Sequence, residues 1–166
     1  IMKVIIKDFP CLKQNDYVGD NDCTLTSITA IVYHLLHKKV SPEIIYSNVL
    51  RVSKKYCYTD KNGTLAITIR SIFEEVLKSY KLYTKRTQLR LFKGFGYNFL
   101  YICKEIDRGN PVILSLLSST RYHNHTVTIV GYDKTNERFI IADNWSSSFQ
   151  YLPYKDISFI SSVNYM

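Results

Sequence analysis

No apolar run in the chain approaches the roughly 18 residues that a membrane-spanning helix requires. The most apolar stretch, Val112–Leu117, is only of strand length. There is no Cys-x-x-Cys pair, and the cysteines at positions 11, 23, 57 and 103 match no zinc ribbon or finger. Nor do four cysteines in 166 residues make a disulfide scaffold, so mostly reduced thiols are expected. The opening segment, Ile1-Met2-Lys3-Val4-Ile5-Ile6-Lys7-Asp8, has too short an apolar core for a secretory signal, and a cytoplasmic location is the expectation. Internal repeats and low-complexity linkers are absent. Gly94-Phe95-Gly96 lacks the strand-to-helix context and full spacing of a nucleotide-binding loop. His34 and His37 share a helix but have no evident third ligand, so neither a metal nor a cofactor is expected.

What is present is a basic, tyrosine-rich chain. Lysine and arginine number 22 against 14 acids, a net charge of +8. Such a balance suits acidic partners. The basic residues are dispersed, however, as separate pairs such as Lys38-Lys39, Lys54-Lys55 and Lys85-Arg86. That dispersal reads as a solvated surface rather than a binding face, and no nucleic-acid partner is expected. A non-catalytic basic binding module stays open as an alternative at this point.

The hydrophobic pattern divides the chain into a helical half, about 23–109, and a β half, about 111–166. Leu25, Ile28, Ile31, Val32 and Leu35 form one stripe over Cys23–Lys38. Ser41-Pro42-Glu43 is a helix start: a capping hydroxyl, a proline at the first helical position and an acid in the first turn. A third helix is expected from Thr64 and a fourth over Tyr97–Arg108. Strands are expected at Pro111–Leu117, Thr126–Tyr132, Arg138–Asp143, Phe149–Leu152 and Ile157–Val163. Helices followed by strands imply a single α+β domain over residues 1–166, with the helical half packed on an antiparallel sheet.

Three short stretches could carry chemistry. In Asn21-Asp22-Cys23-Thr24, a cysteine enters a helix, where outward N–H groups and the positive helix end favour the thiolate. Alone, it is also an ordinary small residue. In His123-Asn124-His125-Thr126-Val127, alternation puts His125 at a strand start, on a face shared with apolar residues; His123 lies in the loop before it. In Ile140-Ile141-Ala142-Asp143-Asn144-Trp145, Asp143 ends a strand, where its carboxylate could accept the proton of the far imidazole nitrogen. Together they form a nucleophile, a base and an orienting acid.

In this order the motifs resemble those of papain-like cysteine peptidases, above all the bacterial branch that includes the double-glycine leader peptidases of bacteriocin exporters. The likeness rests on Asn21-Asp22-Cys23 with Ser27 a turn later, on His125 through Gly131-Tyr132, and on Asp143-Asn144-Trp145. It spans about Phe9 to Ile157. The resemblance implies a papain-like fold and a peptide or protein substrate cleaved through Cys23, His125 and Asp143. Asn144 and Trp145 would support the site, with Trp145 shielding the Asp–His pair. It further implies a glutamine ahead of the nucleophile to bind the oxyanion. The short papain gap falls on Tyr17, so the role goes to Gln14, with Asn15 and Asn21 as rivals. An amidase or acyltransferase using the same three residues is the enzymatic alternative.

Overall fold

A computed structural model of the chain describes residues 2–14, 21–82, 88–91, 95–157 and 159–165. The elements run β1 (Lys3–Ile5), α1 (Cys23–Leu35), α2 (Pro42–Lys54), α3 (Ile69–Ser79), β2 (Gln88–Leu91), α4 (Phe95–Asp107), β3 (Val112–Ser119), β4 (His123–Asp133), β5 (Arg138–Ala142), β6 (Gln150–Pro153) and β7 (Phe159–Tyr165). The fold is α+β. Its antiparallel sheet has the order β2-β7-β3-β4-β5-β6, and β1 adds to β4.

Helix α1 begins at Cys23 as expected, and α2 likewise begins after its capping serine. There Ser41 caps by accepting from the Ile44 N–H at 3.4 Å, and Pro42 and Glu43 fill the first turn. Helix α1 stops at Leu35, short of the expected Lys38, because His37 and Lys38 adopt left-handed backbone (φ 51° and 60°). The expected helix at Thr64 begins only at Ile69, after a 3₁₀ turn over Ala66–Thr68. Two short strands, β1 and β2, fall where no strand was expected; β2 interrupts the helical half and pairs with the carboxy-terminal β7.

Helix α1 is the central helix. Thr24 through Val32 are all buried, so it is covered on every side rather than along one stripe. Its hydroxyl residues make this tolerable: Thr29, for example, donates back to the Leu25 carbonyl at 2.8 Å. Strand β4, buried from His125 to Asp133, is covered by both α1 and α4. The α4–β4 contact includes Tyr132 donating to Asp107 at 2.6 Å, and Phe99 of α4 also packs against Phe139 of β5 (5.8 Å).

Strand β1 occupies the edge of β4 beyond the end of β3. Ile5 pairs with Gly131, whereas the β3 ladder ends at Val112 opposite Ile129. A glycine is required there, since a Cβ on residue 131 would lie 2.4 Å from the Val4 carbonyl oxygen. From β1 the chain continues as a strap. Ile6 donates to the Val130 carbonyl (2.8 Å), Ile6 and Phe9 are buried, and the Gln14 N–H donates to the Asn144 carbonyl (2.8 Å).

Candidate active site

Cys23 is the first residue of α1, and His125 lies near the start of β4. Both line one cleft of about 270 Å³. Gln14, Thr24, Ser115, Thr126 and Trp145 share the walls, with Asn62-Gly63-Thr64 and Ile69 on the helical side and Leu116, Leu117 and Asn124 on the sheet side. The hydroxyls of Thr24 and Thr126 are 3.0 Å apart, and Thr126 also meets Ser115 at 3.1 Å. These contacts tie the helix start to the strand.

The imidazole is held by main chain. His125 Nε2 lies 2.6 Å from the Asp143 carbonyl oxygen. A carbonyl only accepts, so Nε2 must carry a proton, and Nδ1 is left as the basic nitrogen of a neutral ring. The ring also contacts Trp145 (centroids 4.2 Å apart) and stacks on Tyr122 at 5.5 Å with a 20° interplanar angle. Tyr122 and Trp145 touch each other as well (5.2 Å), so the three rings form a triangle. Trp145 itself remains 46% exposed. Burial pushes the His125 pKa below the ordinary 6.5, and the Asp143 carbonyl and charge oppose that shift.

The expected bond from the Asp143 carboxylate to the imidazole is not formed. Its Oδ1 accepts from the Trp145 N–H (3.0 Å) and the Ser146 N–H (2.8 Å). Its Oδ2 accepts from the Tyr122 hydroxyl (3.0 Å) and the Ser146 hydroxyl (3.2 Å). The cause is local. Strand β5 ends at Ala142 and Asn144 is left-handed (φ 64°), so the chain turns back and Asp143 closes an Asx-type turn on its own following N–H groups. The orienting contact to His125 therefore comes from the carbonyl of Asp143.

Burial pushes the Cys23 thiol above its usual 9.0, and the main-chain and side-chain donors of Thr126 and Thr24 pull it back. Among the described residues no hydrogen bond joins Cys23 to His125. The first helical bond of α1 runs from the Thr26 N–H to the Asp22 carbonyl, which leaves the Cys23 N–H outside the helical ladder. Asp22 is buried and accepts from the Tyr46 hydroxyl at 2.7 Å, which ties α2 to this helix start.

Gln14 is nearly buried at the cleft wall. Asn21 also lines the cleft, but both of its amide hydrogens are committed, to the Asp60 and Lys61 carbonyls (2.9 and 3.0 Å). Asn15 and Tyr17 lie outside the described residues. Asn144 donates from its amide to the Cys23 carbonyl (3.0 Å), the Ser27 hydroxyl (2.8 Å) and the Thr126 carbonyl (2.8 Å). His123 is exposed, outside the cleft lining. Tyr122, Thr126 and the Asn62–Thr64 wall carried no recognisable sequence signal. Their parts depend on which residues the fold brings to Asp143 and Cys23.

The model of the Peptidase_C39 like family matches residues 6–165. The chain belongs to that family. This C39-like protein is therefore of the cysteine peptidase class, a thiol-dependent hydrolase with the papain-like fold. No curated protein matches its sequence. Among solved structures it is similar to a C39-like peptidase from Bacillus anthracis, with 15% identity and a TM-score of 0.66 over 100% of this chain and 98% of the other. It is also similar to the peptidase domain of Streptococcus ComA, a bifunctional ABC transporter of a quorum-sensing pathway: 18% identity, TM-score 0.58, 95% of this chain and 96% of that one. A third similarity is to xylellain, a cysteine protease from Xylella fastidiosa, at 15% identity and a TM-score of 0.59 over 98% and 84% of the two chains. Among the described residues, no cluster of three or more His, Cys, Asp or Glu side chains is placed to hold a metal, and no helix is long and apolar enough to cross a membrane.

Proposed function

We propose that the C39-like chain cleaves a peptide bond by acyl transfer through Cys23. An extended segment of substrate lies in the cleft between the Asn62–Thr64 loop and the β3–β4 wall. The thiol turns toward His125 Nδ1 across the cleft that both residues line. His125 takes the thiol proton as sulfur attacks the scissile carbonyl. The developing oxyanion is bound by the Cys23 N–H and the Gln14 amide, which replace water with fixed donors. The imidazolium then protonates the leaving amine, the C–N bond breaks and a thioester remains. A water molecule, deprotonated by the same nitrogen, attacks the thioester; the acid product leaves and the thiol regains its proton.

The observation that carries this reading is the tautomer of His125. A neutral imidazole pinned through Nε2–H to the Asp143 carbonyl, in the cleft that also holds Cys23, is built to accept a proton at Nδ1. Asp143 fixes that tautomer through its carbonyl, and its carboxylate holds the turn that presents the carbonyl. Mixing the protein with an activated peptide ester and reading the intact mass tests the scheme. The expected result is a transient adduct of acyl mass, mapped by digestion to Cys23 and absent from Cys23→Ala. Turnover with an adduct on another residue would overturn it.

A further inference from the structure

We propose that Asn144 is the positioning residue of this site, setting nucleophile, base and oxyanion strap in register with one another; the inference rests on the peptidase reading above. Three separate segments, α1, β4 and the amino-terminal strap, meet on this one residue. Its side-chain amide bridges the Cys23 carbonyl at the start of α1, the Ser27 hydroxyl one turn later and the Thr126 carbonyl on β4. Its own carbonyl accepts the N–H of Gln14 at 2.8 Å, which fixes where the strap delivers that side chain. The carbonyl immediately before it, that of Asp143, orients His125.

The amide can face only one way. Cys23 and Thr126 present main-chain carbonyls, which cannot donate, so the NH₂ group must point at them. Two hydrogens serve three acceptors, and one hydrogen is therefore shared. The opposite oxygen, Oδ1, is buried without a hydrogen-bond partner among the described residues. That is an arrangement poor for stability alone, since one amide atom is left unsatisfied to keep the other on its three acceptors. The backbone is also demanding: Asn144 is 1% exposed at φ 64°, in the left-handed region that asparagine and glycine enter most readily.

Among side chains that enter left-handed backbone readily, asparagine is the one that also supplies a neutral NH₂ donor here. Aspartate would set a carboxylate against two carbonyls, and glycine would keep the turn and lose the bridge. The amide therefore does more than close a turn. It joins the residue carrying the thiol to the residue following His125, and so bears on the separation of thiol and imidazole that governs proton transfer.

The test compares Asn144→Gly and Asn144→Asp with the wild-type chain. Three readouts are taken: thermal unfolding, the kcat and KM of peptide cleavage, and the pH dependence of Cys23 alkylation by iodoacetamide in a Cys57→Ser background. The expected result is a folded Asn144→Gly protein with kcat at least tenfold lower and KM within twofold of wild type. Its alkylation midpoint should move, because the bridge that holds the start of α1 against β4 and His125 is gone. Asn144→Asp should lose at least as much kcat. An Asn144→Gly protein with wild-type kcat and an unchanged alkylation midpoint would overturn the proposal. So would failure of both variants to fold, which would make the residue a determinant of global stability. The alkylation profile needs no peptide substrate. If the wild-type protein proved not to cleave peptides, the reading above would fail while this test still reported on Asn144.

Discussion

The Nε2 nitrogen of His125 lies 2.6 Å from the main-chain oxygen of Asp143, while the carboxylate of the same residue is bonded to Tyr122, Trp145 and Ser146. One residue thus does two jobs with two different groups. Its carbonyl sets the tautomer of His125, and its carboxylate holds the turn that presents the carbonyl. Because the orienting contact is main chain, it cannot be removed by substituting the side chain, only displaced.

Asp143→Asn should therefore weaken the protein and its activity together. The variant loses charge-assisted bonds to two N–H groups and two hydroxyls, and the expected loss of stability is about 1–3 kcal/mol. Loss of kcat should be roughly 10–100-fold, well short of the ~10⁴ that follows when a triad acid contacts the imidazole directly. Chemical denaturation and steady-state kinetics on one preparation check both. A 10⁴-fold loss at unchanged stability would put the carboxylate on the imidazole.

Gln14→Ala should lower kcat about 10²–10³-fold with little change in KM, the effect of removing one oxyanion donor. Its main-chain bond to Asn144 survives the substitution, so the melting temperature should hold. An effect confined to KM would move Gln14 from the oxyanion to substrate binding.

The pH dependence follows from two directions. Burial holds His125 below 6.5 and Cys23 above 9.0, so a neutral imidazole and a neutral thiol are the expected resting forms. The acid limb of kcat/KM should then fall below pH 6.5, where the base is lost by protonation, and the alkaline limb should lie above pH 9. The sign for stability is the same. With the folded histidine pKa below the unfolded one, the unfolded chain binds more protons as pH drops through 6.5 toward the folded value, so stability falls on acidification. His125→Asn should flatten that slope. Fast iodoacetamide alkylation already at pH 5 would show instead a resting thiolate–imidazolium pair.

Gly131→Ala should dislodge the amino-terminal strand. The new Cβ would meet the Val4 carbonyl oxygen at 2.4 Å, a backbone atom that cannot swing aside. The expected cost is about 1–3 kcal/mol, as for overpacking elsewhere. Hydrogen exchange at the Ile6 N–H, bonded to the Val130 carbonyl, should accelerate more than exchange within α1. Unchanged protection at Ile6 would contradict the account of the strap.

Much of this site is legible in the sequence because its parts obey local rules. Cys23 follows a polar turn into an apolar stripe and does open α1, and His125 opens a run of alternating β-branched residues, although β4 itself begins two residues earlier, at His123. The bond at Asp143 is not legible, because alternation predicts where a strand ends and not how the chain leaves it. The left-handed Asn144 reverses the backbone and exchanges carbonyl for carboxylate at the imidazole. Gln14 reaches the cleft through a three-residue strand and one main-chain bond, both too short to leave a pattern. Tyr122 is not legible at all, since its partner Asp143 is brought to it only by the hairpin of β4 and β5. The helix at Ile69 starts later than Thr64 suggests because the intervening residues prefer a 3₁₀ turn whose Ala66 lines the cleft.

The central claim is that Cys23 is the nucleophile, and kcat of Cys23→Ala on a cleavable peptide tests it most directly. The account predicts a fall of at least about 10³-fold with the fold and peptide affinity retained, as for loss of a covalent nucleophile. Turnover by Cys23→Ala within tenfold of wild type would contradict it.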